Sequence, residues 1–169
     1  MAGPASDPIL ARWLRPGAAL PELTASSVEG ILAELADGVA RTLPGVSRAA
    51  VLDGFREREA LGTTAVGGGF AIPHCRLAAV REIQLRVALC PAGVDFGAAD
   101  GAPVRVFFAL LAPQSGATAH LEALRAIARF LRDPARRAHA LAAHGPDDLL
   151  ERVLESDVPA AASEVTADV

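Results

Sequence analysis

The densest chemistry in this sequence lies between Arg58 and Arg76, with one further residue, His120, well downstream. His74 follows Phe70-Ala71-Ile72-Pro73, where Pro73 fixes the backbone and removes a donor at a strand end. Its imidazole, with an unperturbed pKa of ~6.5, is a competent nucleophile or base at neutral pH. The same position after an apolar run also suits an ordinary structural histidine. His120 falls two residues past Thr118, the expected cap of a helix, in a first turn whose free N–H groups and dipole favour anions. Arg58 offers a guanidinium fork for phosphate oxygens, and Thr63 and Thr64 offer hydroxyls. Brought together, such parts suit phosphoryl transfer, which depends on positioning and charge stabilisation. Gly67, Gly68 and Gly69 read either as a tight hairpin or as backbone approaching an anion or a partner.

The elements that must position these residues follow from the hydrophobic pattern. Ser26 and Glu29 form a capping-box pattern, followed by Val28, Ile31, Leu32, Leu35 and Val39 on one helical stripe that ends at Pro44-Gly45. Ser47 caps a second helix that reaches Ala60. Residues 62–74 read as a short strand, a glycine turn and a second short strand. Two longer strands are expected over 84–90 and 104–112, bounded by turns at Pro91-Ala92-Gly93 and Asp100-Gly101. The last is apolar at nearly every position, as a strand covered on both faces should be. Thr118 opens a helix that Pro134 breaks, and shorter helices over 135–143 and 146–154 complete the pattern. Segments 1–8 and 157–169 read as loose ends around one domain over 9–156. The predicted class is α/β, a mixed sheet of about five strands flanked by helices.

Composition narrows the function. The 169 residues are 51% hydrophobic and 21% charged, a globular composition for one domain. A net charge of −4 and an aromatic share of 4% argue against nucleic acid as the main partner. All sixteen basic residues are arginine, so Walker-type and Schiff-base lysines are excluded. Two cysteines cannot make a disulfide framework or a four-cysteine zinc site. With no apolar run near the ~20 residues of a spanning helix, the chain reads as soluble and cytoplasmic, without direct membrane insertion.

The stretch Arg58-Glu59-Ala60-Leu61-Gly62-Thr63-Thr64-Ala65-Val66-Gly67-Gly68-Gly69-Phe70-Ala71-Ile72-Pro73-His74 resembles the active-site signature of phosphotransferase-system enzyme IIA, mannitol/fructose type. The nitrogen-related branch is the nearest in flavour. The similarity runs from about Leu10 to Val153 and includes Leu23-Thr24-Ala25-Ser26-Ser27, Gly93-Val94-Asp95-Phe96 and His120-Leu121 in order. It implies the sandwich-like fold of that family and a phosphoryl group accepted on His74 from a phosphocarrier of the HPr type (NPr in the nitrogen branch). It implies that Arg58 and His120 flank the phosphohistidine, with Thr64 and the glycine-loop backbone nearby. Ala65 and Gly68 stand where Gly and Asn are common, and Cys75 stands where Gly or Ala is usual.

In an acidic protein, positive potential for the incoming group must be local, from Arg58 and Arg76, with Arg81 guiding the partner. No cofactor is expected. Onward transfer to a IIB cysteine and phosphorylation-dependent binding of a regulatory target are the two jobs open to such a carrier, with regulation favoured. Two readings of other classes compete: a metal module using His74, Cys75, Cys90 and His120, and a binding module with an inert histidine. Adjacent His74 and Cys75 would point to opposite faces of a strand, which disfavours the metal module.

Overall fold

The computed structural model describes residues 8–157. The first apolar stripe forms α1 (Val28–Thr42), and the segment after Ser47 forms α2 (Arg48–Ala60). Ser27, rather than Ser26, caps α1, its hydroxyl accepting from Gly30 N at 3.1 Å. Glu29 closes no capping box; its carboxylate pairs with Arg56 and so ties α1 to α2. Ser47 caps α2 as expected, accepting from Ala50 N at 3.1 Å.

Five strands follow: β1 (Ala65–Gly67), β2 (Phe70–Ala71), β3 (His74–Leu77), β4 (Gln84–Val94) and β5 (Val104–Pro113). They form one mixed sheet with β5 as its spine. Along one edge β5 pairs with β4, antiparallel; along the other it pairs with β2 and then β3, both parallel. Phe70 stands opposite Val106 and His74 opposite Leu110, so the register is the same on both sides of Ile72-Pro73. The chain therefore runs on beside β5, interrupted where Pro73 has no N–H, while Pro73 O still accepts from Leu110 N at 2.9 Å. His74 thus opens a third short strand that the pattern did not reveal. The expected turn at Pro91-Ala92-Gly93 instead lies inside β4, as an irregularity between Leu89 and Val94, with Gly93 at φ +71°.

The sheet separates two cores. Phe107, Ala109 and Leu111 face α1 and α2, while Val106, Phe108 and Leu110 face the opposite helical layer. That layer is α3 (Ala117–Leu131), α4 (Pro134–Leu141) and α5 (Pro146–Ser156). Gly116, not Thr118, occupies the N-cap position of α3. Pro134 ends no helix from within; it is the first residue of α4, where its missing N–H costs nothing, and Asp133 caps that helix. No helix among the described residues is long and apolar enough to cross a membrane.

The expected loose ends lie outside the described residues except for Pro8, which is exposed, and Asp157. Asp157 corrects the expectation: it is fully buried, its carboxylate accepting from Leu10 N at 2.8 and 2.9 Å and from Ala11 N at 2.8 Å. A carboxylate that satisfies two backbone donors cannot be deleted without orphaning them. Asp157→Ala is expected to destabilise the domain by about 2–3 kcal/mol. In thermal unfolding this should appear as a fall in Tm of roughly 5–10 °C; an unchanged Tm would show that the contact contributes nothing.

Candidate active site

His74 is half-buried at the start of β3, in an open cavity of about 530 Å³ that Arg58, Leu61, Arg76, His120 and Leu121 also line. Three elements converge there. β5 sets the height of His74 through its pairing with Leu110. The short turn from Pro113 to Ala117 then returns the chain as α3, which places the His120 ring edge-on to His74, centroids 5.2 Å apart. Arg58 comes from the last turn of α2, one helical turn beyond Gly54. Gly54 permits the approach: a Cβ there would lie 2.8 Å from Cys75 Sγ and 2.9 Å from Cys75 Cβ, too close to exist.

The hydrogen bonds of His74 fix its tautomer. Arg58 Nε donates to His74 Nε2 at 3.0 Å, and a guanidinium only donates. His74 Nδ1 lies 2.7 Å from Ile72 O, and a carbonyl only accepts. The neutral ring therefore carries its proton on Nδ1 and presents a lone pair at Nε2. Burial lowers the His74 pKa, with Arg58 adding to the effect against the opposing pull of the Ile72 carbonyl and Glu59. Arg58 is itself held by Gly62 O, which accepts from Nη1 at 2.8 Å.

His120 is the more perturbed ring. Burial, then His74 and Arg76, lower its pKa to about 4, and its Nε2 is buried without a hydrogen-bond partner. Its main-chain N–H is already given to Gly116 O, so the ring rather than a free helix-terminal amide is what α3 brings to the site. Because the unfolded ring protonates near ~6.5, stability from this group is complete above that pH and is lost as pH falls towards 4. For a half-buried ring the contribution is on the order of 1 kcal/mol after solvent screening. Urea unfolding at about pH 7 and about pH 5 should show His120→Gln losing less stability than the wild type by this amount; equal losses would contradict the neutral ring.

The other expected residues are distributed unevenly. Arg76 is exposed and lines the cavity. Thr63 and Thr64 do not line it, and both hydroxyls are engaged. Thr63 Oγ1 donates to Phe96 O, and Thr64 Oγ1 donates to Glu59 Oε2 at 2.8 Å while Thr64 N donates to Glu59 Oε1 at 2.8 Å. Gly67, Gly68 and Gly69 form the tight turn of the hairpin reading, with φ of +87°, +65° and +92°. Gly68 N donates to Asp100 Oδ2 at 2.8 Å, and Gly67 and Gly68 border a separate cavity with Asp100 and Arg137. The hydroxyls and glycine backbone are thus not gathered around the imidazole: Phe96 O takes the Thr63 hydroxyl, Glu59 the Thr64 hydroxyl and Asp100 the Gly68 amide. Arg81 is exposed at another surface hollow beside Pro44 and Gly45.

Cys75 also borders the cavity, but its Sγ packs against α2 at Gly54, and burial pushes its thiol up to about 12. Cys90 is buried in the core on the α1–α2 side. No group of three His, Cys, Asp or Glu able to hold a metal converges among the described residues. Two residues that shape this region and are not evident from the sequence are Gly54 and Glu59, the second of which clips Thr64 and holds the chain leaving α2. Leu61 and Leu121, exposed by 85% and 48% at the rim, were also missed; an exposed apolar residue beside a helix end was the available signal.

The family model described as "Phosphoenolpyruvate-dependent sugar phosphotransferase system, EIIA 2" matches residues 14–156. A nitrogen regulatory protein of Bradyrhizobium diazoefficiens is 45% identical over 118 residues, 70% of this chain and 76% of that protein. A fructose-specific EIIA component of the phosphotransferase system from Haloferax volcanii is 34% identical over 122 residues, 72% of this chain and 71% of that protein. The crystal structure of nitrogen regulatory protein IIA-Ntr from Neisseria meningitidis superposes with a TM-score of 0.76 at 26% identity, covering 86% of this chain and 99% of that one.

Proposed function

Since the chain belongs to the EIIA 2 family of the phosphoenolpyruvate-dependent sugar phosphotransferase system, we propose that it is a phosphocarrier that takes up a phosphoryl group on Nε2 of His74. The observation that carries this reading is the tautomer: Nδ1–H is anchored on Ile72 O, and Nε2 keeps its lone pair at the mouth of an open cavity. The donor is a phosphohistidine of an HPr-type or NPr-type protein. Nε2 attacks the phosphorus in line, the Nε2–P bond forms as the donor N–P bond breaks, and the donor nitrogen keeps the electron pair. Exchange between two imidazole nitrogens of similar leaving ability is close to balanced, so the step is reversible.

Arg58 must release Nε2 for the attack. Its guanidinium then has the planar fork suited to the phosphoryl oxygens, which carry about −2 in charge. His120, as its Nε2–H tautomer, supplies a donor that needs no reorganisation, and Arg76 adds positive charge from the exposed side. Arg81 and the glycine turn stand outside this arrangement.

The higher identity to a nitrogen regulatory protein than to a fructose-specific component supports a regulatory use of the phosphorylated state. A new dianion at the cavity mouth changes which protein surfaces fit there. The family description itself supports the second reading, transfer to a IIB cysteine in sugar uptake. The test is intact mass after incubation with phosphoenolpyruvate, enzyme I and an HPr-type carrier: one acid-labile phosphoryl group per chain is expected. No gain with several carriers would overturn the proposal, and discharge of the phosphorylated protein by a purified IIB domain would favour sugar uptake over regulation.

A further inference from the structure

Helix α3 carries Arg125 and Arg129 and is capped at its C-terminus by Arg132, the three lying four and three residues apart and all exposed. With Arg12 they line a groove of about 1070 Å³ in which, among the described residues, Glu122 is the one carboxylate. Glu122 is already paired with Arg12 at 2.7 Å, and among the described residues Arg125, Arg129 and Arg132 make no ion pair. Like charges at this spacing repel one another. A concentration of unneutralised cations is therefore an outlying feature in a chain of net charge −4.

The groove adjoins the His74 cavity. Leu121 lines both, and its side chain is 48% exposed between them. A protein seated closely enough on His74 for in-line transfer covers a patch of about 800 Å² on this chain. Such a footprint includes Leu121 and reaches the arginines beyond it. Fixed charges at the edge of an interface act chiefly on encounter rate and on rejection of wrong partners.

We propose that Arg125, Arg129 and Arg132 select the protein partner of His74 by charge, favouring one whose surface is acidic beside its own reacting group. This rests on the phosphocarrier reading of His74. The groove suits a protein better than a nucleic-acid strand: from Thr118 to Arg132 it is about 21 Å long, among the described residues no aromatic side chain lines it for base stacking, and it adjoins the His74 cavity through a leucine.

The test uses two versions of one phosphorylated HPr-type carrier, with residues bordering its phosphohistidine changed to Glu or to Lys. At about 50 mM salt the wild-type protein is expected to accept from the Glu version with kcat/KM about tenfold higher, a preference that shrinks at about 500 mM. Arg125→Glu/Arg129→Glu should reverse the preference while the end point stays at one phosphoryl group per chain. Arg41→Glu, an exposed change on α1, should leave it in place. Equal rates with both versions, or a wild-type preference for the Lys version, would overturn the proposal and leave the phosphocarrier reading standing. No uptake from either would remove both. Binding of a labelled RNA of about 20 nucleotides that the double variant loses, with no carrier preference, would assign the groove to nucleic acid instead.

Discussion

His74→Ala is expected to accept no phosphoryl group: intact mass should show the unmodified chain after any incubation that loads the wild type stoichiometrically. The effect is complete because no other group offers the same combination. His120 has an unpartnered Nε2, yet among the described residues no carbonyl holds its Nδ1 and no guanidinium is hydrogen-bonded to its ring, Arg76 acting on it only through charge. Cys75, the nearest thiol in sequence, is turned towards α2 with its pKa raised to about 12, so its thiolate is negligible at neutral pH. The substitution removes no core side chain, since His74 is half-buried, so circular dichroism and Tm should stay close to wild type. Stoichiometric labelling of His74→Ala would place the acceptor elsewhere and sink the assignment.

Arg58→Ala is expected to lower the rate of phosphoryl uptake by about 30- to 150-fold without changing the end point. Two effects of opposite sign meet here. Removing the guanidinium frees the Nε2 lone pair, which it caps at 3.0 Å in the unphosphorylated state. It also removes the donor fork that answers the charge of the arriving group. The second effect wins, because one lost hydrogen bond to a neutral ring is worth about 1 kcal/mol, whereas stabilisation of developing phosphoryl charge at a half-buried site is worth about 3–4. Arg58→Lys should recover only part of the rate, as a point charge lacks the planar fork. The His74 pKa should rise in Arg58→Ala, since Arg58 helps to lower it, and a proton NMR titration reads this independently of transfer. Single-turnover rates within threefold of wild type would show that Arg58 merely packs against the ring.

The parts of this site that could be read from the chain were those set by local rules. Ser47 capping α2, the stripe from Ile31 to Val39 and the continuous apolar run of β5 each follow from spacing within a dozen residues. Errors arose where a local signal had a competitor elsewhere in the fold. Glu29 lies three residues past Ser26, yet Arg56 of α2 holds its carboxylate. Pro91-Ala92-Gly93 has turn chemistry, yet β5 holds the strand together across it. Thr64 carries a hydroxyl of the right kind for a phosphate, yet Glu59 takes it first. Asp157 begins a segment with no periodic apolar face, yet it is buried against backbone donors 147 and 146 residues away.

By itself the chain determined the inventory and its chemistry: arginine as the only strong cation, a histidine behind a proline at a strand end, a glycine turn before it and a second histidine near a helix start. These are properties of residue type and short-range spacing, which the backbone's few allowed conformations convert directly into local structure. Only the tertiary structure decided which of those residues meet. The break at Pro73 beside β5, the missing Cβ at Gly54 and the short return into α3 bring Arg58, His74 and His120 together while leaving Thr63, the glycine turn and Arg81 aside. Proximity between residues sixteen or forty-six positions apart arises from sheet register and helix packing, and neither is encoded in any single window of sequence.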